Sequence, residues 1–437
     1  MASAFTPHAP LAVLALVLFA PGAHAAGFQI REQSAEGLGR AFSAEAVAAD
    51  TAAGLWYNPA QAVRLDTQVN AVLSSIDLNA DLTDSGSTLL FADGTRVPVS
   101  GPAGEDPVPF TLLPALSGVY RLSDTWALGA SVNVPFGLEV DYGDEYFGRY
   151  DSQGSELVTV DASVHLAAQL SPATSVGGSV HLQYVEADLA TALPDPLARG
   201  LTQGVPDARS KLEGNNYGVG FSVGLVQDVG KRASFAISYR SEIKHDVSGS
   251  VIVEGLAAPF DAGNGRQEAT TSITLPDSLR GAVAFQASDR LRISGQVEWV
   301  GWSDVDELAV ELESGAIDVS PFDYENATNY GLGLDYAHSD ALTLRAGVSW
   351  DPTPTTDAER STRVPDSDRT WFTVGGSYSF RGGYRLDLGA AYIDADSAPV
   401  RSTRIAFDGQ PFAVEVDTRA QLDASAVVAS VGLSKRF

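Results

Sequence analysis

The sequence predicts an all-β protein: a 14-stranded antiparallel transmembrane β-barrel with an N-terminal hatch, or plug, inside the lumen. Three observations predict it. Stretches of about ten residues alternate apolar and polar from residue 68 to the C-terminus. Short turns alternate with long connections between those stretches. Before the first of them lies a rather apolar segment that does not alternate.

The alternation is plainest at residues 216–227. Tyr217, Val219, Phe221, Val223 and Leu225 fall on one face, and Gly218, Gly220, Ser222 and Gly224 on the other. Successive side chains of a strand point to opposite faces. The stretch is therefore greasy on one side and small or polar on the other, as a barrel stave between lipid and lumen must be. At 291–301, Leu291, Ile293, Val297 and Trp299 oppose Arg292, Ser294, Gln296 and Glu298. At 342–350, Leu342, Leu344, Val348 and Trp350 oppose Thr343, Arg345 and Ser349. The polar face of 158–170 carries Thr159, Asp161, Ser163, His165 and Gln169. About fourteen such strands can be marked off.

The last strand, 422–437, places Val427, Val431, Leu433 and Phe437 on one face. A closing aromatic of this kind resembles the signal read by the barrel assembly machinery, the partner expected at Phe437. Lys435 stands where an apolar residue is usual, and its stem can snorkel to the interface.

Short turns fall at 123–124, 171–173, 228–231, 287–289, 338–340 and 381–383. Between them lie longer segments: 82–108, 141–154, 190–213, 255–266, 311–325, 352–368 and 395–419. Outer-membrane barrels pair short periplasmic turns with long outer loops in this way. Closure also removes the sheet edges that lipid cannot satisfy.

Composition narrows the class further. The only long apolar stretch is 11–20, too short for a membrane helix. With Pro21, Gly22 and the small-residue box Ala23-His24-Ala25 it reads as a signal peptide, residues 1–25, although that segment lacks Lys and Arg. Cysteine is absent, which removes disulfides and thiol chemistry. Twenty-eight Lys and Arg against 55 Asp and Glu leave a formal net charge of −27 and argue against a nucleic-acid partner. Asp357, Glu359, Asp366 and Asp368 sit in an expected outer loop. Solvation explains them; divalent cations bridging them to lipopolysaccharide phosphates are an alternative that no spacing supports. His165, His181, His245 and His338 have no metal-ligand spacing, so no metal and no cofactor is expected.

Two places break the rhythm. Residues 26–67 run from Ala26-Gly27-Phe28-Gln29-Ile30 through an Ala-rich stretch to Asn58-Pro59-Ala60. They are too apolar for a solvated tail and too few for a domain. The economical place for them is inside the barrel of 68–437, whose opening would otherwise be wide. The second break is Asn133-Val134-Pro135-Phe136-Gly137, inside an otherwise regular strand. Proline has no N–H for a paired ladder, and proline and glycine two residues apart suggest a bulge or kink.

The chain resembles the FadL family of outer-membrane long-chain fatty acid and aromatic hydrocarbon transporters. The resemblance runs through Ala26-Gly27-Phe28-Gln29, Gly37-Leu38-Gly39-Arg40-Ala41, Asn58-Pro59-Ala60, Gly214-Asn215 and Tyr239-Arg240-Ser241-Glu242. It continues at Leu275-Pro276, Trp302-Ser303 and Val364-Pro365-Asp366-Ser367-Asp368-Arg369-Thr370-Trp371. It covers essentially the whole mature chain, and the order of the motifs carries it. The resemblance implies passive uptake of hydrophobic compounds, long-chain fatty acids first and aromatic hydrocarbons as the alternative. A general diffusion porin is the third reading, which the plug-like N-terminus argues against.

The family's third strand is kinked inward and leaves a gap in the wall. By that analogy Asn133, Pro135, Phe136 and Gly137 form a lateral opening; a tolerated bulge near the strand's outer end is the alternative. Asn58, Pro59 and Ala60 anchor the hatch, or mark only a turn. Phe28 and Ile30 line a ligand pocket near the hatch terminus. Leu189, Leu193, Leu197, Leu201 and Val205 stand at near-helical spacing; Leu193, Leu197 and Leu201, with Phe260, belong to the third and fourth outer connections, where the family has its capture site. Arg292 and Arg345 face the lumen, to meet a fatty carboxylate or to pair with Glu298 and other lumen acids. Expected partners besides hydrophobic small molecules are outer-membrane lipid and lipopolysaccharide around a monomer in the Gram-negative outer membrane.

An enzyme reading rests on Gly220-Phe221-Ser222-Val223-Gly224, a G-x-S-x-G match. That motif needs a strand–turn–helix elbow, whereas here it lies mid-strand. No enzymatic activity and no catalytic residue is expected.

Overall fold

A computed structural model describes residues 27–196, 207–315 and 317–437. The expected signal peptide lies outside them, as do Leu197, Leu201 and Val205. Fourteen antiparallel staves form one closed barrel. They are β1 (Gln68–Asp84), β2 (Thr111–Arg121), β3 (Trp126–Asn133, resuming as Gly137–Asp141), β4 (Gly154–Ser171), β5 (Thr174–Leu193) and β6 (Ala208–Val229). Then come β7 (Ala233–Arg240 and Ile243–Glu254), β8 (Gly265–Leu275 and Ser278–Gln286), β9 (Leu291–Val300 and Glu307–Leu312) and β10 (Ile317–Pro321 and Ala327–Ala337). The remainder are β11 (Leu342–Asp351), β12 (Arg369–Ser379), β13 (Tyr384–Ala395 and Ala398–Ala406) and β14 (Val414–Arg436). Closure runs from Gln68↔Arg436 to Asp84↔Ala420, so β1 and β14 leave no edge.

The alternation sets the two faces as expected. Tyr217, Val219, Phe221 and Val223 are exposed to the lipid side while Ser222 between them is buried. Aromatic residues gather near the short turns, among them Tyr120, Trp126, Tyr378, Phe380, Tyr384 and Phe437. Their amphipathic rings suit the membrane–water boundary. Lys435 lies among them, its ammonium 4.5 Å from the Tyr384 ring centre and bonded to the Gly382 carbonyl.

Strands outlast the membrane on the long-connection side, which corrects two expectations. Most of 395–419 is strand, and only 407–413 connects β13 to β14. Leu189 and Leu193 sit in β5 rather than at helical spacing, paired with Leu212 and Ala208 of β6. Backbone groups must find partners whatever the side chains, and extending the ladder provides them. A small hairpin of Thr88–Phe91 and Arg96–Pro98 adds to the outer end of β14.

Residues 27–66 occupy the lumen. They form two short helices, α1 (Ala35–Leu38) and α2 (Glu45–Ala48), and 3-10 turns at Ala52–Trp56 and Pro59–Arg64. Ser34 caps α1 by accepting the Gly37 N–H. Helix α1 packs on β12, β13 and β14, and α2 on β7 and β8. The first 3-10 turn packs on β1, β2 and β3, the second on β4, β5 and β6. A buried segment that touches staves all round a closed barrel can only be inside it. Room for it comes from lumen-facing glycines. A Cβ at Gly333 would lie 2.6 Å from the Arg40 carbonyl oxygen, and one at Gly389 would lie 2.6 Å from that of Ala35.

Candidate functional site

The ladder of the wall is interrupted at Pro135. Strand β3 pairs with β2 only from Leu116↔Val132 to Arg121↔Ala127. Its pairing with β4 stops at Asn133↔Asp161 and resumes at Gly137↔Val158. Above Leu116, β2 remains paired to β1 through Thr111↔Ile76 but has no ladder partner on the β3 side. The β2–β3 ladder is therefore incomplete beside exposed Leu112 and Phe110.

The lumenal segment takes over the lost bonds. Ile30 N–H donates to the Pro135 carbonyl at 2.8 Å, and Gly137 N–H donates to the Phe28 carbonyl at 2.9 Å. The Gln33 amide donates to the Val134 carbonyl at 2.8 Å and accepts from the Asn133 amide at 3.0 Å. Thr159 of β4 closes the far side through the Phe136 N–H at 2.9 Å. Asn133, Pro135, Phe136 and Gly137 are thus brought together with Phe28 and Ile30, behind a break in the ladder.

Apolar side chains surround this junction. Phe28 lies 5.0 Å from Trp302 and 6.0 Å from Phe136, centre to centre. Leu138, Leu157, Val300, Tyr324 and Val364 belong to the same buried cluster. Ile30 joins a neighbouring one with Val134, Phe42 and Tyr57. Sequence reasoning quoted Trp302 only as a family match and missed Tyr324. The available signal was the interruption of β9 after Val300, where a short 3-10 turn, Trp302–Asp304, folds the indole inward.

The segment's first residues are held at a second point. Gly27 N–H donates to Asp366 Oδ2 at 2.8 Å, and Asp366 pairs with Arg369 at 2.8 Å. Only glycine suits position 27: its φ is +61°, and a Cβ would come within 2.8 Å of the Trp302 ring. In the run 364–371, Val364 thus packs beside Phe28, Asp366 binds the backbone, and Trp371 lies edge-on to Phe42.

Deeper parts are fastened differently. Asn58 donates to the Ala46 carbonyl and accepts from Ala60 N–H, tying the two halves of the segment together. Pro59 and Ala60 press on Gly177, where a Cβ would meet the Ala60 nitrogen at 2.5 Å. Arg40 pairs with Asp335 at 2.7 Å, Glu45 at 2.6 Å and Glu36 at 3.0 Å. Arg345 and Arg292 join this network through Asp335, at 2.6 and 3.1 Å, and through Asp50. Both arginines therefore fasten the lumenal segment to β9, β10 and β11. Glu298, expected as their partner, is paired with Arg280 instead.

Leu193 and Phe260 lie apart from the Phe28 cluster. Leu193 is buried at the end of β5. Phe260 packs 4.6 Å from Phe412, which lies 5.7 Å from Phe407, so connections 255–264 and 407–413 share an aromatic ledge.

Burial pushes the Glu32 carboxyl up to about 7, against the lowering effects of backbone amides, Arg31 and Arg369. One carboxylate oxygen has no hydrogen-bond partner. An acid whose pKa is raised on folding destabilises the fold progressively as pH climbs from the ordinary carboxylate range to about 7. Glu32→Gln is expected to slow hydrogen exchange in residues 27–34 at pH 8 and to leave it unchanged at pH 4. Equal exchange of variant and parent at pH 8 would contradict this.

Asp161, His181 and Ser222 form a hydrogen-bonded chain in the lumen, at 3.1 and 2.8 Å. It has the order of a hydrolase relay but not the setting. Ser222 lies mid-strand in β6, inside an unbroken ladder with β5 opposite Ser179 and at the last pair, with Arg240, before the β7 ladder breaks, and it has no strand–turn–helix elbow to present it.

The chain matches the family described as "Outer membrane protein transport protein (OMPP1/FadL/TodX)" over residues 16–437. It is 28% identical over 414 residues to outer membrane protein P1 of Haemophilus influenzae, covering 88% of this chain and 89% of that one. It is 27% identical over 431 residues to a long-chain fatty acid transport protein of Escherichia coli O157:H7, covering 91% and 94%. In fold it resembles the crystal structure of a Pseudomonas aeruginosa FadL homologue, with TM-score 0.82, 21% identity and coverage of 94% and 100%. The Pseudomonas putida toluene transporter TodX gives TM-score 0.62 at 20% identity, with coverage of 92% and 99%. A closed 14-stranded barrel with lipid-facing apolar staves, matched to that family along almost its whole length, belongs to the OMPP1/FadL/TodX family of outer-membrane transport proteins and is a channel rather than an enzyme.

Proposed function

We propose that the protein takes up hydrophobic compounds passively, long-chain fatty acids in the first place, and releases them sideways into the outer membrane between β2 and β3. The observation that carries this reading is the bonding of the lumenal segment's first residues into the kink of β3. A ligand that competes for the Phe28 cluster displaces residues 27–33 and opens a gap there in one movement. The deeper residues, held by Arg40 and Asn58, keep the lumen plugged against polar solutes. Residues 26–67 then act as a hatch whose terminus moves and whose body stays.

Energetics favour a sideways path. Each methylene gains roughly 0.8 kcal/mol on leaving water, so sixteen carbons gain on the order of 12 kcal/mol. An aqueous lumen would forfeit that gain, whereas the Phe28 cluster and the bilayer beyond the gap keep it. Capture at the outer ledge of Phe260 and Phe412 precedes this step. The names of the curated relatives support fatty acids. The crowding of aromatic rings at Phe28, Phe136, Trp302 and Tyr324 favours a second reading, aromatic hydrocarbons.

Radiolabelled oleate and toluene uptake by a deletion strain carrying this chain distinguishes the two. Oleate uptake well above the empty-vector level, with toluene at that level, is expected. The reverse selects the second reading, and failure of both ends the proposal.

A further inference from the structure

We infer that the wall opposite the kink carries a binding site for one anionic glycerophospholipid of the periplasmic leaflet. The site is a shallow apolar groove of about 580 Å3 on the lipid-facing side of β7–β10. Two cross-strand rows bound it. One is Phe235↔Val283↔Gly295↔Leu332, the other Ile237↔Gly281↔Val297↔Tyr330. Every other member of these rows is a large apolar residue exposed to lipid. Gly295 and Gly281 sit diagonally adjacent and remove two side chains from the wall. Glycine weakens a strand, and in a stave it marks a place where something else approaches closely. A Cβ built on Gly281 meets no atom within 4 Å, so the space above it is open.

Charge at the rim identifies the occupant. Arg232, the residue immediately before β7, lies about 10 Å along the strand from Phe235. Lys231 precedes it, and Arg290 ends the neighbouring turn between β8 and β9. The two turns are adjacent, since Gln286 N–H donates to the Arg232 carbonyl. All three basic side chains are exposed, and none has an ion-pair or hydrogen-bond partner among the described residues. Asp228, the nearest acid on the first turn, is already held by Arg64 and Ser234. Asp289 shares the second turn with Arg290 and leaves the pair of turns net positive. Three unpaired cations together are unexpected in a chain of net charge −27. They stand on the short-turn, periplasmic side, where the leaflet is glycerophospholipid. A phosphate at the rim with an acyl chain in the groove satisfies both features.

Native mass spectrometry of the full chain released from detergent, offered equal dioleoyl phosphatidylglycerol and dioleoyl phosphatidylethanolamine, tests this. One phosphatidylglycerol is expected to stay bound per chain in preference to phosphatidylethanolamine, less so as salt is raised. Basic residues near a lipid surface each contribute severalfold, so combined Lys231→Gln, Arg232→Gln and Arg290→Gln should cut retention at least about tenfold. Gly281→Leu, whose Cβ enters open space, should lose both lipids. Heat-modifiable migration on gels reports that each variant still forms a barrel. Equal retention of the two lipids, indifference to salt, or undiminished binding in both variants would overturn the inference. So would a dimer in light scattering that Gly281→Leu abolishes, since the groove would then hold a second copy of the chain.

Discussion

Straightening β3 should abolish uptake while leaving the barrel intact. In the variant Pro135→Thr, Phe136→Val, Gly137→Ser, residue 135 regains an N–H and the strand regains its alternation. Ladder pairing with β2 can then extend past Leu116↔Val132 towards Thr111, with Pro114 the one position of β2 there that has no N–H to give. Each restored bond contributes about 0.5–1.5 kcal/mol, and an unsatisfied backbone group in lipid costs more than that, so the closed wall is favoured. Oleate accumulation by cells carrying the variant is expected to fall to the empty-vector level. Heat-modifiable migration and surface abundance should match the parent. Unchanged uptake would mean that the interruption is only a bulge and that ligand leaves by another route.

Arg40→Ala should turn a plugged barrel into a conducting one. Arg40 is fully buried and meets Asp335, Glu45 and Glu36 at once. Its removal leaves three carboxylates facing one another around an empty centre. Breaking a buried pair on one side costs about 3–5 kcal/mol, because the remaining charge is uncompensated. Arg345, Arg292 and Arg385 still neutralise part of the cluster, so the staves should hold. The burden falls on the lumenal segment, which has no ladder of its own. In planar bilayers the variant is expected to show steady ion conductance many times that of the parent. Parental conductance would show that Asn58, Pro59 and Ala60 hold the segment without the ion network.

The barrel itself was legible because its instructions are local. Whether Phe221 faces lipid and Ser222 the lumen depends only on the two-residue period of a strand. Turns such as 171–173 and 381–383 carry their own residues. Proline's missing N–H made the break in β3 readable from one residue. Even the lumenal glycines were visible as the small face opposite Tyr217 and Phe221, although what they make room for was not.

Partners across the lumen were not legible. Arg292 lies near Glu298 in sequence and on the same face, and pairing the two was the natural expectation. The structure gives Arg292 to Asp335 and Asp50, and Glu298 to Arg280. Asp335 lies directly across the ladder from Arg292, in a register that the stretches 301–306 and 322–326, outside the ladder, separate from the turn between β9 and β10. Asp50 arrives from a segment without periodicity, so nothing in the sequence says which stave it meets. The Leu189–Leu193 spacing misled for a related reason: a period of four is also even, and fits a strand as well as a helix.

By itself, then, the sequence determined what repeats: the staves, their faces, the turns, and the two places where repetition stops. Only the tertiary structure decided that those two interruptions meet, with Ile30 bonded to Pro135 and Phe28 to Gly137. The physical reason is closure. Bending fourteen staves into a ring brings residues about a hundred positions apart within hydrogen-bonding distance, as with Gln33 and Asn133. A local period carries no record of such neighbours.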